Sequence, residues 1–474
     1  MSARYLTTTL PYVNADPHIG FALELVQADV LARAWRTAKD EVFFNTGTDE
    51  HGQKIYDAAK KVGQETQAYI DYYAGEVQKL GKALNLSIDA FVRTTSAVHK
   101  EAAQEIWRRC AANDDIYLKE YEGLYCVGHE AFVTEKDLVD GKCPDHNVEP
   151  QVLHEENYFF KFKKYEEPLL NYLQRPGVIV PEWRRQEAIN FVKGGLEDFS
   201  ISREKKRLSW GIPVPGDDSQ VIYVWFEALT NYISTLGWPD DKQGNFKRFW
   251  EEGVTLQVAG KDQVRFQSLI WQAMLMSAKI RNTDTVFYHG FITANGHKMS
   301  KSLGNVINPF ELVEEYGTDA VRYVLLRHVS PFDDSDLTRK AIHEHYTANL
   351  TNGLGNLVAR VMKLAETHLG TYPNIDPPIV PADYDQKFIE NFEFNRAMDI
   401  IWTHIQRLDG EITSKRPFEL IKTNEARGKD LILQFVLELS SIGEMLRPFM
   451  PMTAEKIIQA VKENKRPANL FPRL

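Results

Sequence analysis

Two short segments carry residues suited to phosphate chemistry. Near the N-terminus, Pro17-His18-Ile19-Gly20 follows an apolar run, Tyr5-Leu6-Thr7-Thr8-Thr9-Leu10, that reads as a buried strand. It opens a run from Ile19 to Trp35 whose apolar residues recur at helical spacing. A strand, a glycine-bearing turn and a helix start make a phosphate cradle. Gly20 lets the backbone approach, the first helical amides lack intrahelical partners, and His18 can donate a hydrogen bond to an α-phosphate. Far downstream, Lys298-Met299-Ser300-Lys301-Ser302 lies between Gly296 and Gly304, so a loop can present two ammonium groups. When a carboxylate attacks an α-phosphorus, negative charge develops on the departing pyrophosphate, and placed cations lower that barrier. Either segment alone is matched by many capping histidines and solvated basic turns; the two together predict an ATP site.

A second set of residues has metal-ligand spacing. Cys126-Val127-Gly128-His129 and Cys143-Pro144-Asp145-His146 supply two thiols and two imidazoles in pairs separated by two residues, enough for one tetrahedral Zn2+. The alternative is a metal-free knuckle with a residual cysteine pair. Cys110 falls in an amphipathic helical run and reads as core.

The elements that must position these groups follow from where the periodicity changes. Residues 1–114 alternate strand and helix signals, and Glu41-Val42-Phe43-Phe44-Asn45-Thr46-Gly47 reads as a second strand ending at Asp49. Residues 115–218, rich in aromatics and charges and holding the Cys/His set, read as an insertion. In 219–343 the sheet is expected to resume with strands around Ile222–Val224, Val254–Val258 and Val286–Gly290. Residues 344–474 carry helical spacing throughout, over 346–367, 392–411, 430–446 and 452–462. The expected fold is therefore α/β, a doubly wound (Rossmann-type) parallel sheet split by a connective insertion and followed by an α-helical bundle.

Composition sets bounds. In 474 residues, 43% are apolar and 26% charged, the balance of an ordinary globular chain with room for several cores. The net charge of −10 excludes a generally basic surface, so any nucleic acid must be met by local Lys/Arg patches. Three cysteines do not make a disulfide framework and fit a reducing compartment. The first strand starts within a few residues of Met1, and no uninterrupted apolar stretch is long enough to span a bilayer, so a cytoplasmic protein with no membrane partner is expected.

The two phosphate segments in this order resemble the signature of class I aminoacyl-tRNA synthetases. Three further blocks, Leu10 to Gly20, Thr46-Gly47-Thr48-Asp49-Glu50-His51-Gly52 and Val224-Trp225-Phe226-Glu227-Ala228-Leu229-Thr230-Asn231-Tyr232, together with Gly290-Phe291, resemble the methionyl-tRNA synthetase family. The resemblance runs from about residue 4 to the end of the chain. There are departures: Phe21 and Gln267 stand where that family commonly has histidine, and His129 where it commonly has cysteine.

What the resemblance implies is specific. Leu10, Tyr12, Trp225, Ala228, Leu229, Tyr232 and Phe266 would wall an apolar slot for a methionine thioether, with Asp49 pairing the α-ammonium and Gln267 supplying amide contacts. His18, Gly20, Gly260, Asp262, Lys298, Met299, Ser300, Lys301 and Ser302 would surround ATP and its Mg2+, and Arg203 would lie near the phosphates if it is not an ordinary surface arginine. Asn356 and Arg360, one helical turn apart, would meet the anticodon of initiator and elongator methionine tRNAs. DNA is not an expected partner. The chain stops directly after the bundle, which implies a monomer. Relatives for leucine, isoleucine or valine carry a large editing insertion, and the stretch here is too small for one. A catalytically silent tRNA-binding paralogue would have no need of His18, Asp49, Lys298 and Lys301.

If Lys301 acts on departing pyrophosphate, Lys301→Ala lowers the rate of adenylate formation by about 10²- to 10³-fold in pre-steady-state kinetics, with methionine affinity little changed. Equal losses in binding and rate would assign the loop a structural part instead.

Overall fold

The computed structural model describes residues 2–126, 131–133, 135–144, 147–299, 306–370, 380–381, 384 and 387–474. They form two compact units, one of Met1–Pro17, Lys39–Lys79 and Ile88–His289, the other of His18–Ala38, Leu80–Ser87 and Gly290–Leu474.

The first unit is built on a parallel six-stranded sheet. Its strands are β1 (Ala3–Thr7), β2 (Glu41–Thr48), β3 (Ala90–Arg93), β4 (Ile179–Val180), β5 (Val254–Gly260) and β6 (Thr285–His289), in the spatial order β3-β2-β1-β5-β6-β4. Register pairs Leu6 with Phe44 on one side and with Leu256 on the other. Chain order therefore reverses direction at β1, and groups at the carboxyl ends of β1, β2 and β5 are brought to one crevice. Large apolar side chains, among them Phe160, Phe226, Trp250, Trp271 and Tyr288, fill the core of this unit.

Two details differ from expectation. Asp217–Ile222 does not join the main sheet; it pairs antiparallel with Ser202–Glu204 and Pro213–Val214, and Val224 already begins a helix. The reason is visible in its polar first half, Asp217 to Ser219, which is at least partly exposed, whereas strands of a covered parallel sheet are apolar on both faces. Conversely, β4 comes from inside the stretch read as an insertion and completes the sheet edge against β6. Two residues are too short to show a period. That stretch also contributes a four-stranded antiparallel sheet, in which Ile116–Cys126 and Gln151–Phe160 pair over most of their length, and the helices Glu166–Leu173 and Glu182–Lys193.

The second unit is largely helical. Helices cover Ile19–Thr37, Asn356–His368, Phe394–Lys415, Glu425–Leu446 and Pro451–Glu463, within or close to the runs that the apolar spacing predicts, and also Thr318–Arg327, which lies outside those runs. Its three chain stretches meet at one buried ion pair. Arg322, fully buried, sits 2.8 Å from Asp29 and donates to the carbonyls of Leu84, Pro448 and Phe449. Asp29 also accepts from Arg33 at 2.7 Å and from the Ser87 amide at 2.6 Å. Burial alone would raise the Asp29 carboxyl, but Arg322, Arg33 and Ser87 outweigh it and hold its pKa below the ordinary carboxylate range.

Removing one partner would leave a charge buried and uncompensated. Arg322→Met is expected to destabilise the chain by about 3–5 kcal/mol in denaturant unfolding. Because the folded pKa of Asp29 is depressed, its contribution is present above the unfolded pKa and is lost as pH falls through the folded one, so the wild-type-to-variant gap narrows in acid.

Candidate active site

The carboxyl end of β2 is fixed from several directions. Asp49 follows it directly, donates its amide to the Pro11 carbonyl at 3.1 Å and accepts from the Val13 amide at 3.3 Å, so the Tyr12 segment runs parallel beside it. Its neighbour Glu50 is buried and held by Thr48 (2.7 Å), Arg93 (2.5 Å) and Thr95, while its amide donates to the Thr94 hydroxyl at 2.9 Å. The Trp210 indole donates to the Glu50 carbonyl at 2.7 Å. A segment pinned on both sides presents the Asp49 carboxylate, itself 3% exposed, in one place.

Against it stands an aromatic wall. Trp225 stacks on Phe266 with ring centroids 4.0 Å apart and planes 18° from parallel, and Tyr12 meets Trp225 edge-on at 6.0 Å. Gln267 donates to the Tyr232 hydroxyl at 2.7 Å, and its Oε1 is buried with no hydrogen-bond partner among the described residues. Ala228 and Leu229 are buried at and just beyond the end of the Trp225 helix, and Leu10 is half-buried beside Pro11. The slot offers apolar and aromatic faces with a carboxylate and an amide at hand, the chemistry of a small amino acid carrying an apolar side chain.

Beside the slot lies a polar cluster that sequence reading missed. The Glu227 carboxylate, fully buried, meets His51 Nδ1 at 3.0 Å and His99 Nε2 at 2.8 Å, and His99 Nδ1 lies 3.0 Å from the Ser234 hydroxyl. Burial would raise Glu227, but the neighbouring imidazoles, His51 first, hold its pKa below the ordinary range. His51 and Glu227 lie within quoted motif blocks, but His99 lies far from both in sequence, so nothing in the chain announced the meeting.

Of the other residues in this unit, Gly260 ends β5 and Asp262 is exposed, accepting from Gln263 at 2.8 Å. Arg203 is not a surface residue. It is buried, donates to Ser200 Oγ at 2.9 Å and to the Ser202 carbonyl at 2.7 Å, and its guanidinium lies over the Tyr223 ring at 4.5 Å. Cys126 ends a strand and Cys143 stands in a tight turn closed by the Asn147 amide; both thiols are buried and neither is in a disulfide. Their expected partners His129 and His146 lie outside the described residues.

In the second unit, His18 caps the helix Ile19–Thr37. Its Nδ1 accepts from the Gly20 amide at 3.1 Å and the Phe21 amide at 3.4 Å. In the neutral ring that puts the proton on Nε2, so this exposed side chain at a helix N-terminus carries an N–H donor. A Cβ on Gly20 would come within 3.0 Å of the His18 ring, so the capped conformation calls for glycine. Lys298 pairs with Thr293 in a short antiparallel turn and Met299 is half-buried; Ser300, Lys301 and Ser302 lie outside the described residues. Asn356 and Arg360 line one groove with Lys363, Ile412, Phe418 and Arg466. Arg360 is held 2.5 Å from Asp409, and Phe418 leaves 44% of its surface exposed. Phe418 was not anticipated; an aromatic directly after Pro417 at a helix start was the available signal.

Comparison with known proteins agrees with this arrangement. The family described as tRNA synthetases class I (M) matches residues 4–152 and 146–362. The methionine--tRNA ligase of Fusobacterium nucleatum is 39% identical over 98% of this chain and 75% of its own length. That of Brucella suis is 37% identical over 98% of this chain and 92% of its own. Among solved structures, Mycobacterium tuberculosis methionyl-tRNA synthetase in complex with methionyl-adenylate superposes with a TM-score of 0.89 at 35% identity, covering 100% of this chain and 99% of that one. The free-state structure from the same organism gives 0.82 at 33% identity, covering 100% and 97%.

Proposed function

Because this chain belongs to the class I tRNA synthetases, in their methionine-specific branch, we propose roles for its own residues in that family's two-step reaction. The reaction is methionine plus ATP to methionyl-adenylate and pyrophosphate, then transfer of the methionyl group to the 3' adenosine of tRNA(Met). The observation that carries the assignment of roles is the Asp49 carboxylate, fixed by a pinned strand end and close to a Tyr12–Trp225–Phe266 aromatic wall.

Asp49 holds the α-ammonium, which leaves the substrate carboxylate as the nucleophile toward the α-phosphorus. The partnerless Gln267 amide oxygen is a second acceptor for the same ammonium, while its NH2 stays on Tyr232. Trp225, Phe266 and Tyr12 enclose the thioether, with Leu10, Ala228, Leu229 and Tyr232 completing the walls. His18 Nε2–H donates to the α-phosphate; Gly20 leaves room for it, and Lys298 and Lys301 meet the charge on departing pyrophosphate. Mg2+, required with ATP in this family, offsets phosphate charge when bound. Gly260 and Asp262 would meet the ribose, and Met299, Ser300 and Ser302 would join the contacts to the nucleotide. Arg203, with its guanidinium already engaged, orients the strand pair near the phosphates rather than reaching out from it.

No protein nucleophile is needed; the tRNA ribose hydroxyl attacks the adenylate in the second step. In the groove of Asn356 and Arg360, Phe418 would stack an anticodon base beside Arg360, whose guanidinium pairs with Asp409; their common groove supports this reading. Cys126, His129, Cys143 and His146 would hold one structural Zn2+: buried thiols at a strand end and in a tight turn suit thiolate ligands shielded from water.

In ATP–pyrophosphate exchange with each amino acid in turn, methionine alone is expected to support turnover, and Asp49→Asn is expected to lower kcat/KM for methionine by about 10- to 100-fold, as loss of a charge-assisted contact implies. Exchange driven equally by another amino acid would overturn the substrate. Metal analysis of chelator-free protein is expected to find one zinc per chain, removed by Cys143→Ser with loss of thermal stability; a content near zero would leave a metal-free knuckle.

A further inference from the structure

The Glu227 cluster has a regular relation to the slot. Asp49 is two residues before His51, Trp225 two before Glu227, and Tyr232 two before Ser234. On a helix, two residues turn the chain by about 200°, so Trp225 and Glu227 stand on opposite sides of one turn, as do Tyr232 and Ser234. The cluster thus links the three segments that bear the slot's carboxylate, its stacked indole and its phenol, and it anchors them through His99 on the helix Ala97–Ala112. His99 is itself set by the Ser96 cap, whose hydroxyl accepts from its amide at 3.3 Å.

We propose that Glu227, held between His51 and His99, is a positioning residue for methionine recognition, bracing the Asp49 segment against the Trp225 and Tyr232 helices. This rests on the reading of the slot given above. The carboxylate touches no substrate in this scheme; it acts by fixing where Asp49, Trp225 and Tyr232 stand. Three observations support a brace over ordinary core filling. All four side chains are at least 96% buried, a costly place for a carboxylate unless it is fully satisfied. Both of its oxygens are hydrogen-bonded to different segments of the chain. A leucine of similar volume would fill the same space without directional bonds, so the polar set adds register rather than packing.

The experiment is Glu227→Gln, which keeps shape and removes charge, measured in ATP–pyrophosphate exchange. Methionine KM is expected to rise about tenfold or more, while ATP KM and kcat at saturating methionine stay within about threefold. Glu227→Asp should restore part of the loss. In a double-mutant cycle, His51→Ala added to Glu227→Gln should raise methionine KM little further, since both break the same link. An unchanged methionine KM, or methionine and ATP KM rising together, overturns the proposal. If Glu227→Gln does not yield folded protein, Ser234→Ala at the rim decides: a rise of about two- to threefold in methionine KM at unchanged thermal midpoint supports the brace, and no rise overturns it. Wild-type exchange that depends on methionine tests the reading of the slot by itself, so failure of the variants alone falls on the brace.

Discussion

Parallel pairing of β1 with β2 on one side and β5 on the other is the constraint from which the first unit's chemistry follows. Parallel strands cannot be joined by tight turns, so each carboxyl end must lead into a longer connection, and these connections gather at one edge of the sheet. Leu10 and Tyr12 follow β1, Asp49 follows β2 and Gly260 closes β5. Residues remote in sequence become neighbours because chain order reverses at β1, not because any local signal brings them together. The aromatic wall completes the arrangement from helices near Trp225 and Phe266, whose outer sides pack into the apolar core of the same unit.

Carboxylates buried in both units are handled by one physical rule. Asp29, Glu50 and Glu227 are each nearly inaccessible; Asp29 and Glu50 each meet an arginine together with hydroxyl or amide donors, and Glu227 meets two imidazoles. Desolvation is the largest influence on Asp29 and Glu227, yet both remain below the usual carboxylate range because several donors converge. Such clusters contribute little net stability compared with apolar replacements, and removing one member is costly. What they provide is directional: Asp29 joins three chain stretches of the second unit, Glu50 immobilises the end of β2, and Glu227 joins segments that bear the slot.

Much of this was legible in the sequence where a period or a spaced motif existed. Ile19 to Trp35 reads as a helix because its apolar residues recur at 3.6-residue spacing, and the stretch from Glu41 as a strand because the run Val42-Phe43-Phe44 puts apolar side chains on both faces. The long helices of the second unit are legible for the same reason. Residues Ile179–Val180 carry no readable period, and Asp217–Ile222 shares an apolar end with a buried strand while its polar start belongs to a small, partly exposed antiparallel sheet. Within the slot, side-chain chemistry and resemblance named the wall, but the Glu227 cluster was hidden because His51, His99 and Glu227 meet only through tertiary folding. Phe418 was overlooked for a different reason: aromatics are usually core, and only its exposure singles it out.

An apolar slot discriminates by shape, and shape has limited reach. One methylene more or less is worth about 1–3 kcal/mol, so a wall of Trp225, Phe266 and Tyr12, in its proposed role, would recognise a thioether chain only as well as those rings hold their places. Polar recognition reaches further, because, in the roles proposed for Asp49 and Gln267, an analogue that lacked the matching donor would forfeit a buried hydrogen bond. Both kinds of selectivity depend on rigidity. A carboxylate displaced by an ångström toward solvent, or an indole free to tilt off Phe266, would accept competitors that a fixed site rejects. That is why polar residues beside the slot can matter as much to specificity as the apolar residues that line it.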